Sequence, residues 1–327
     1  MAPYSSRTTA ETVATDCSDI IRGKVILTTG VTPGGIGATF VEAVARHSPK
    51  LLILAGRNTS KCEETAKAIK SASPGVSTRV LELDLGSLEQ VRRAAAEVDS
   101  YPEPIDVLCN NAGVMAAPYT LTKDGLETQF AVNHVGHFLF TNLIMPKLLA
   151  SPNGARIVNV SSDGHRLGPV RFDDWRWDGG KTYDRWRAYG QGKTANMLFA
   201  LGLAKRLGNK HNGQDVVAVS LHPGVVGSNL ARYMGDEEFQ ALRKMDRDLG
   251  YTDYWGGFEN LLKNASEGAA THVYAAFDPS LKENNGAYLV DCQVHPVEKV
   301  RPWARDPVEA DLLWKLSEEI VGQKFSY

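Results

Sequence analysis

In the stretch Tyr189-Gly190-Gln191-Gly192-Lys193 a phenol precedes an ammonium by four residues. On a helix that spacing puts both groups on one face, a turn apart. A free phenol has a pKa of about 10, and a neighbouring positive charge favours its ionised form. The expectation is therefore that Lys193 lowers the pKa of Tyr189, so that the tyrosine can exchange a proton with an alcohol or ketone near neutral pH. A packed aromatic beside a solvated lysine has the same spelling. The pair gains weight only from the elements that would position it.

Those elements begin with Lys24-Val25-Ile26-Leu27-Thr28-Thr29, a β-rich run that ends in Gly30-Val31-Thr32-Pro33-Gly34-Gly35-Ile36-Gly37. Phe40, Val41, Val44 and Ala45 then recur at helical spacing. Strand, glycine loop and helix are the context a phosphate-binding turn requires. Glycines let the backbone approach a pyrophosphate, and a helix N-terminus offers free N–H groups and a positive dipole end. Gly30, Thr32, Gly34, Gly35, Ile36 and Gly37 are the candidate contacts; the plainer alternative is a simple turn.

The alternation continues through apolar runs at 51–55, 80–84, 105–109, 155–160, 216–221 and 287–290. Helical patterns lie between them, including 59–70 with Thr59 as its cap and 87–98. No long proline- or glycine-rich linker and no repeat interrupts the series. The expected architecture is α/β, a doubly wound parallel sheet in one domain.

Ligands of such sheets bind beyond the carboxyl ends of the strands, so the polar residues there matter most. An NAD site usually has Asp or Glu about 20 residues past the glycine loop. Here the second strand ends in Gly56-Arg57-Asn58, with no carboxylate before Glu63. Arg57 could pair with a 2′-phosphate, which points to NADP, with Asn58 beside it; a solvated loop arginine is the alternative. Asp84-Leu85 could meet the adenine, or Asp84 could cap the next helix. Asn110-Asn111-Ala112-Gly113 permits close packing against a ribose. Asn133 sits mid-helix, which is unfavourable by propensity and implies either exposure or a task. Ser162 ends the fifth strand. Residues 163–188, with Trp175, Trp177 and Trp186, would form either a pocket wall or an aromatic-stapled surface excursion. Past Tyr189, Met197, Leu201 and Ala204 keep core spacing, and Gly208 reads as a C-cap. His222-Pro223-Gly224-Val225 with Ser228 makes a turn whose backbone can meet a carboxamide. Residues 229–258 suit a mobile cover. Asn264 with Glu267 resembles a capping box. A terminal amphipathic helix starts at Asp306-Pro307, with Leu312, Leu313, Leu316 and Ile320 as its apolar positions.

Composition excludes several classes. The 327 residues are 43% hydrophobic, and 36 basic against 38 acidic residues give a net charge of −2. No basic block suggests nucleic acid or an anionic membrane. Cys17, Cys62, Cys109 and Cys292 show no paired spacing and read as reduced, intracellular thiols, which places the chain in the cytoplasm. Residues 1–20 lack the apolar core of a signal peptide, and no apolar run reaches the roughly 18–20 residues of a membrane span. His134 and His137 lack a matching third ligand, so no metal is expected.

Taken together, the motifs resemble the short-chain dehydrogenase/reductase superfamily over residues 22–295. They are most similar to its retinol-dehydrogenase-like and WW-domain-oxidoreductase-like branch. Thr29-Gly30 through Gly37 resembles the family's TG-x-x-x-G-x-G loop, Asn110–Gly113 its NNAG, and Pro223-Gly224 its PG turn. Asn133, Ser162, Tyr189 and Lys193 fall at its catalytic tetrad. Gly34-Gly35 adds one residue to the loop, so either could fill the middle glycine's role; this Pro-Gly-Gly form is similar to one common among fungal reductases of secondary metabolism. The resemblance implies a Rossmann-type fold with a polar arm over 1–21, a cover over 229–258 and a helical extension over 296–327. It implies NADP(H)-dependent interconversion of an alcohol with a ketone or aldehyde on a small, lipophilic or polyketide-type substrate. Ser162 would polarise the carbonyl, Tyr189 would move the proton, and Lys193 would bond the nicotinamide ribose. Asn133 would hold a relay water, Val225 the carboxamide and Ser228 the diphosphate. Family dimers pair the helices of Asn133 and Lys193, yet the branch includes monomers. An isomerase or cyclase without net redox, or a cofactor-sensing binding protein, would share the cofactor site.

Overall fold

Short apolar runs form the strands of the computed structural model, which describes residues 4–207, 216–251 and 262–327. In chain order they are β1 (Val25–Thr29), β2 (Leu51–Gly56), β3 (Ser77–Glu82), β4 (Val107–Asn110), β5 (Arg156–Val160), β6 (Val217–His222), β7 (Val225–Val226), β8 (Leu262–Lys263), β9 (Tyr288–Val290) and β10 (Gln293–Val294). The helices used below are α1 (Ala10–Asp16), α2 (Ser18–Ile21), α3 (Ile36–Ala45), α4 (Thr59–Ala72), α5 (Leu88–Asp99), α6 (Thr128–Phe130), α7 (Gly136–Leu143), α8 (Met145–Leu149), α9 (Arg185–Leu207), α10 (Asp236–Asp248), α11 (Ala265–Phe277) and α12 (Pro307–Val321).

The main sheet runs β10-β9-β6-β5-β4-β1-β2-β3. Every neighbouring pair in it is parallel except β9 with β10. The order reverses between β1 and β4, which opens a crevice at their carboxyl ends. Side chains alternate between the two faces, as a strand's period of two requires. Val25, Leu27 and Ile53 pack with Val91 of α5, Phe138 of α7 and Leu198 of α9. Ile26, Leu52 and Leu54 pack with Val13 of α1, Phe40 of α3 and Val273 of α11. Helices on both faces explain why β1 and β2 read as nearly unbroken apolar runs.

Several local expectations change. Residues 4–21 are not simply a polar arm. Ala10, Val13, Ala14 and Ile21 recur at helical spacing and are buried. The third strand is shifted from 80–84 to β3, because its register with β2 starts at Ser77↔Leu51. As an edge strand it tolerates half-exposed Thr78 and Arg79. The cap of α4 is Asn58, whose side chain accepts from Lys61 N, not Thr59. The capping box at Asn264 and Glu267 and the Asp306 cap are present as read. The inward face of α12 is Ala310, Leu313, Trp314, Ser317 and Val321, which leaves Leu312 exposed. The Gly208 reading and residues 252–258 of the expected cover lie outside the described residues.

All four cysteines are buried and unpaired. Burial pushes the thiols of Cys17 and Cys62 up to about 11 and that of Cys292 to about 12. Among the described residues, no helix is long and apolar enough to cross a membrane.

Candidate active site

α9 carries Tyr189 and Lys193 one turn apart, both buried. Ser162 follows β5 and opens a tight turn over Asp163–Leu167. Its Oγ accepts from Gly164 N at 3.0 Å, and a Cβ on Gly164 would meet both the Tyr189 ring, at 2.6 Å, and Ser162 Oγ, at 3.4 Å, so the two side chains flank one point. Lys193 Nζ donates to Val160 O at 3.1 Å and lies 5.6 Å from the centroid of the Tyr189 ring. Asn133 sits in a π-turn, Ala131–Val135, between α6 and α7. That widened turn aims its amide sideways at Val114, accepting from the backbone N–H and donating to the C=O, each at 2.9 Å. A mid-helix asparagine thus has the task its cost implied. A Cβ on Gly113 would stand 3.0 Å from Asn133 Oδ1 and 3.5 Å from Lys193 Nζ. The glycine therefore keeps these three groups close.

The electrostatics correct one expectation. Burial pushes the Tyr189 phenol up to about 12 and the Lys193 ammonium down to about 8. The groups that lower the phenol are the Ser162 hydrogen bond and then the Arg166 cation, while Asp163 raises it. Lys193 is held by a backbone carbonyl, and in a buried site desolvation opposes both charged forms.

The glycine loop fits a dinucleotide. Gly30 has φ +76°, and a Cβ there would meet Ala112 Cα at 2.8 Å. The doubled glycines divide the work: Gly34 supplies a left-handed turn (φ +77°), and Gly35 is the N-cap of α3, with no side chain closing the helix end. Open N–H groups beside a cavity suit a pyrophosphate. A Cβ on Gly37 would strike Asn111 Nδ2 at 2.4 Å and Gly30 O at 2.7 Å. Asn111 Nδ2 in turn donates to Thr29 O and Gly30 O at 2.8 and 3.1 Å. Thr29 Oγ1 accepts from Asn111 N and Ala112 N at 3.0 and 2.9 Å. Its own hydrogen is then left for His137 Nε2 at 3.0 Å, so the His137 proton sits on Nδ1, facing Asn133 O. His134 Nε2 meets Ser317 Oγ at 2.8 Å.

A cavity of about 350 Å³ opens at the carboxyl ends of the strands. Of the residues read from the sequence, Gly30, Thr32, Gly35, Ile36, Asn111, Ala112, Gly113, Ser162, Tyr189, Lys193, Pro223, Gly224, Val225 and Ser228 line it. Gly37 and Asn133 do not line it but pack against the lining residues Gly30, Asn111 and Gly113, and Gly34 is exposed at the loop. Arg57 stands exposed at the end of β2. Asn58 is engaged as the α4 cap. Asp84 Oδ1 accepts from Gly86 N at 2.9 Å, while the cap of α5 is Ser87, so the capping alternative for Asp84 is replaced. Leu85 is buried, with its carbonyl against Gly136.

The opposite wall is apolar: Met115, Leu167, Trp186, Met234, Phe239 and Leu242. The segment 163–188 divides. Trp186 joins that wall, whereas Trp177 is stapled away from it, under Arg171 and edge-on to Tyr183. Sequence reasoning missed Arg166 and Asp246. Arg166 lines the cavity and bonds Asp246 through Nε and Nη2 at 2.9 and 2.8 Å, and Asp163 through Nη1 at 2.7 Å. The pair is 80 residues apart, and no local spacing announces it.

The fold and site define a doubly wound nucleotide-binding sheet with serine, tyrosine and lysine gathered at its crevice. The family described as short chain dehydrogenase matches residues 24–174. Retinol dehydrogenase 12 of Mus musculus is 36% identical over 306 residues, covering 92% of this chain and 87% of the relative. Retinol dehydrogenase 13 of Homo sapiens is 37% identical over 302 residues, covering 92% and 86%. The chloroplastic short-chain dehydrogenase TIC 32 A of Brassica napus is 34% identical over 325 residues, covering 97% and 94%. The crystal structure of an uncharacterized protein from Mycobacterium paratuberculosis superposes with a TM-score of 0.70 at 31% identity, covering 95% and 98%. The chain belongs to the short-chain dehydrogenase/reductase family of oxidoreductases, in its retinol-dehydrogenase-like branch.

Proposed function

We propose that this protein is an NADP(H)-dependent oxidoreductase that interconverts an alcohol with a lipophilic ketone or aldehyde. One observation carries the reading: a single cavity is lined by the glycine loop, by Ser162, Tyr189 and Lys193, and by an apolar wall. The nicotinamide supplies or takes the hydride. Ser162 donates a hydrogen bond to the substrate oxygen and stabilises charge as it develops there. Tyr189 gives its proton to that oxygen in reduction and removes it in oxidation. Burial keeps that phenol protonated at neutral pH, the form that can donate. Lys193 and Asn133 hold the ribose and a relay water in the family's manner. Val225 offers backbone groups to the carboxamide, and Ser228 a hydroxyl to the diphosphate.

The NADP assignment rests on Arg57, exposed at the tip of β2 where an NAD site would place a carboxylate. Four buried, unpaired cysteines suit a reducing compartment, the cytoplasm. α12 packs on the helices that pair in family dimers, with Trp314 on Phe138 and Phe199 and Ser317 bonding His134. That cover favours a monomer over a homodimer, and sedimentation velocity should then give a single species at the mass of one chain.

The test is NADPH consumption against a panel of lipophilic ketones and aldehydes, with product quantified. Equimolar alcohol and NADP⁺ are expected. Product without NADPH loss would favour isomerisation or cyclisation. Tight NADPH binding with no turnover of any carbonyl would favour a sensor.

A further inference from the structure

α10 crosses the mouth of the cavity and turns half-buried Phe239 and Leu242 toward it. Its one fully buried residue is a carboxylate, Asp246, at 0% exposure. A buried ion pair stabilises less than an apolar pair of the same shape would, because both charges lose water. Apolar contact would therefore hold the helix as well or better. The pair ties α10 to one place, the turn that begins at Ser162. Arg166 forks onto Asp246 and sends its third arm to Asp163. At its other end α10 is pinned to α9, where Trp186 Nε1 donates to Glu238 O at 3.0 Å and Arg185 meets Glu238 at 2.6 Å. The apolar face over the cavity is suspended between these two pins.

We propose that Arg166 is a positioning residue: its guanidinium latches α10 to the Ser162 turn, and so sets both the width of the substrate pocket and the charge beside Tyr189. The inference rests on the proton-donor role given to Tyr189 above. Among the described residues, the charged and titratable groups around that phenol are Asp163 and Arg166 from the turn, Lys193 from α9, and Asp246 of α10 acting through Arg166. The neighbouring Ser162 hydroxyl favours its ionised form. Removing Asp246 and removing Arg166 should both free the helix, yet they change the charge near the phenol in opposite senses.

Hydrogen exchange on the free protein tests the latch without any substrate. Arg166→Met and Asp246→Asn are each expected to raise exchange across 236–248 on the order of tenfold, with α3 unchanged. Lys244→Ala, which removes an exposed pair with Asp248 on the same helix, should leave exchange as it was. If Arg166→Met melts the whole domain, Arg166→Lys keeps the charge, loses the fork and carries the same test. Unchanged exchange in Arg166→Lys and Asp246→Asn overturns the latch. For the charge, the basic limb of kcat/KM for carbonyl reduction should move to higher pH in Arg166→Met, because a cation that favours phenolate is gone. In Asp246→Asn it should move to lower pH, because Arg166 keeps its charge with one counter-charge fewer. Movement in one direction, or none, overturns that half. Tyr189→Phe belongs in the same assay: turnover surviving there sinks the proton-donor reading, while the exchange result stands independently.

Discussion

The two sides of Tyr189 are built by different means. The cofactor side is made of glycine backbone closed against backbone and against amides that are themselves bonded to backbone: Gly30 against Ala112, Gly37 against Gly30 O and the Asn111 amide, Gly113 against the Asn133 amide, and the open end of α3. Its tolerances are set by atoms held in place by backbone or by hydrogen bonds to it. The substrate side is made of side chains: Trp186 of α9 faces Phe239 and Leu242 of α10, a helix held by ion pairs and by the Trp186 indole hydrogen bond. A backbone cradle accepts one ligand shape. A suspended apolar wall can change its occupant by changing a few residues, as a family with one cofactor chemistry and many substrates requires.

Substitutions can break or sharpen that contrast. The largest effect is expected at the junction. Tyr189→Phe should lower turnover by about 10²–10⁴-fold and leave NADPH affinity, read by fluorescence titration, essentially unchanged. Next is the cradle. Gly37→Ala forces a Cβ onto Asn111 Nδ2 and Gly30 O, and should cost about 1–3 kcal/mol, seen as a lower melting temperature together with weaker NADPH binding. Arg57→Ala should weaken NADPH binding roughly ten- to hundredfold, the worth of a charge-assisted contact, and leave NADH binding alone; equal loss for both would sink the NADP assignment. The smallest shift on the cofactor is expected from the substrate wall. Trp186→Ala should change KM for a bulky carbonyl while the NADPH Kd moves by less than about twofold. A cofactor effect as large as that of Gly37→Ala would show that the two sides are not separately built.

The same contrast explains what could be read in advance. Strand alternation, the glycine loop and the Tyr189–Lys193 spacing are local, and each is fixed by geometry within a turn or a strand. The capping box at Asn264 is local too. Arg166 and Asp246 meet only because the fold brings α10 back against the turn that begins at Ser162. The helix at Ala10–Asp16 was hidden by its polar flanks, although Ala10, Val13 and Ala14 already stood at helical spacing. Asn133 showed itself as an anomaly of propensity, but the π-turn that resolves it depends on Val114, 19 residues away. The sign of the Tyr189 shift was missed because spacing says nothing of how deeply a pair is buried.

Cys17, Cys62, Cys109 and Cys292 lie between α1 and α2, on α4, in β4 and just after β9. Being shielded and protonated, they stay inert to alkylating reagents until their own layer opens. The molecule thus carries four native clocks of local breathing, in which the order of labelling by a maleimide would rank how often each layer parts.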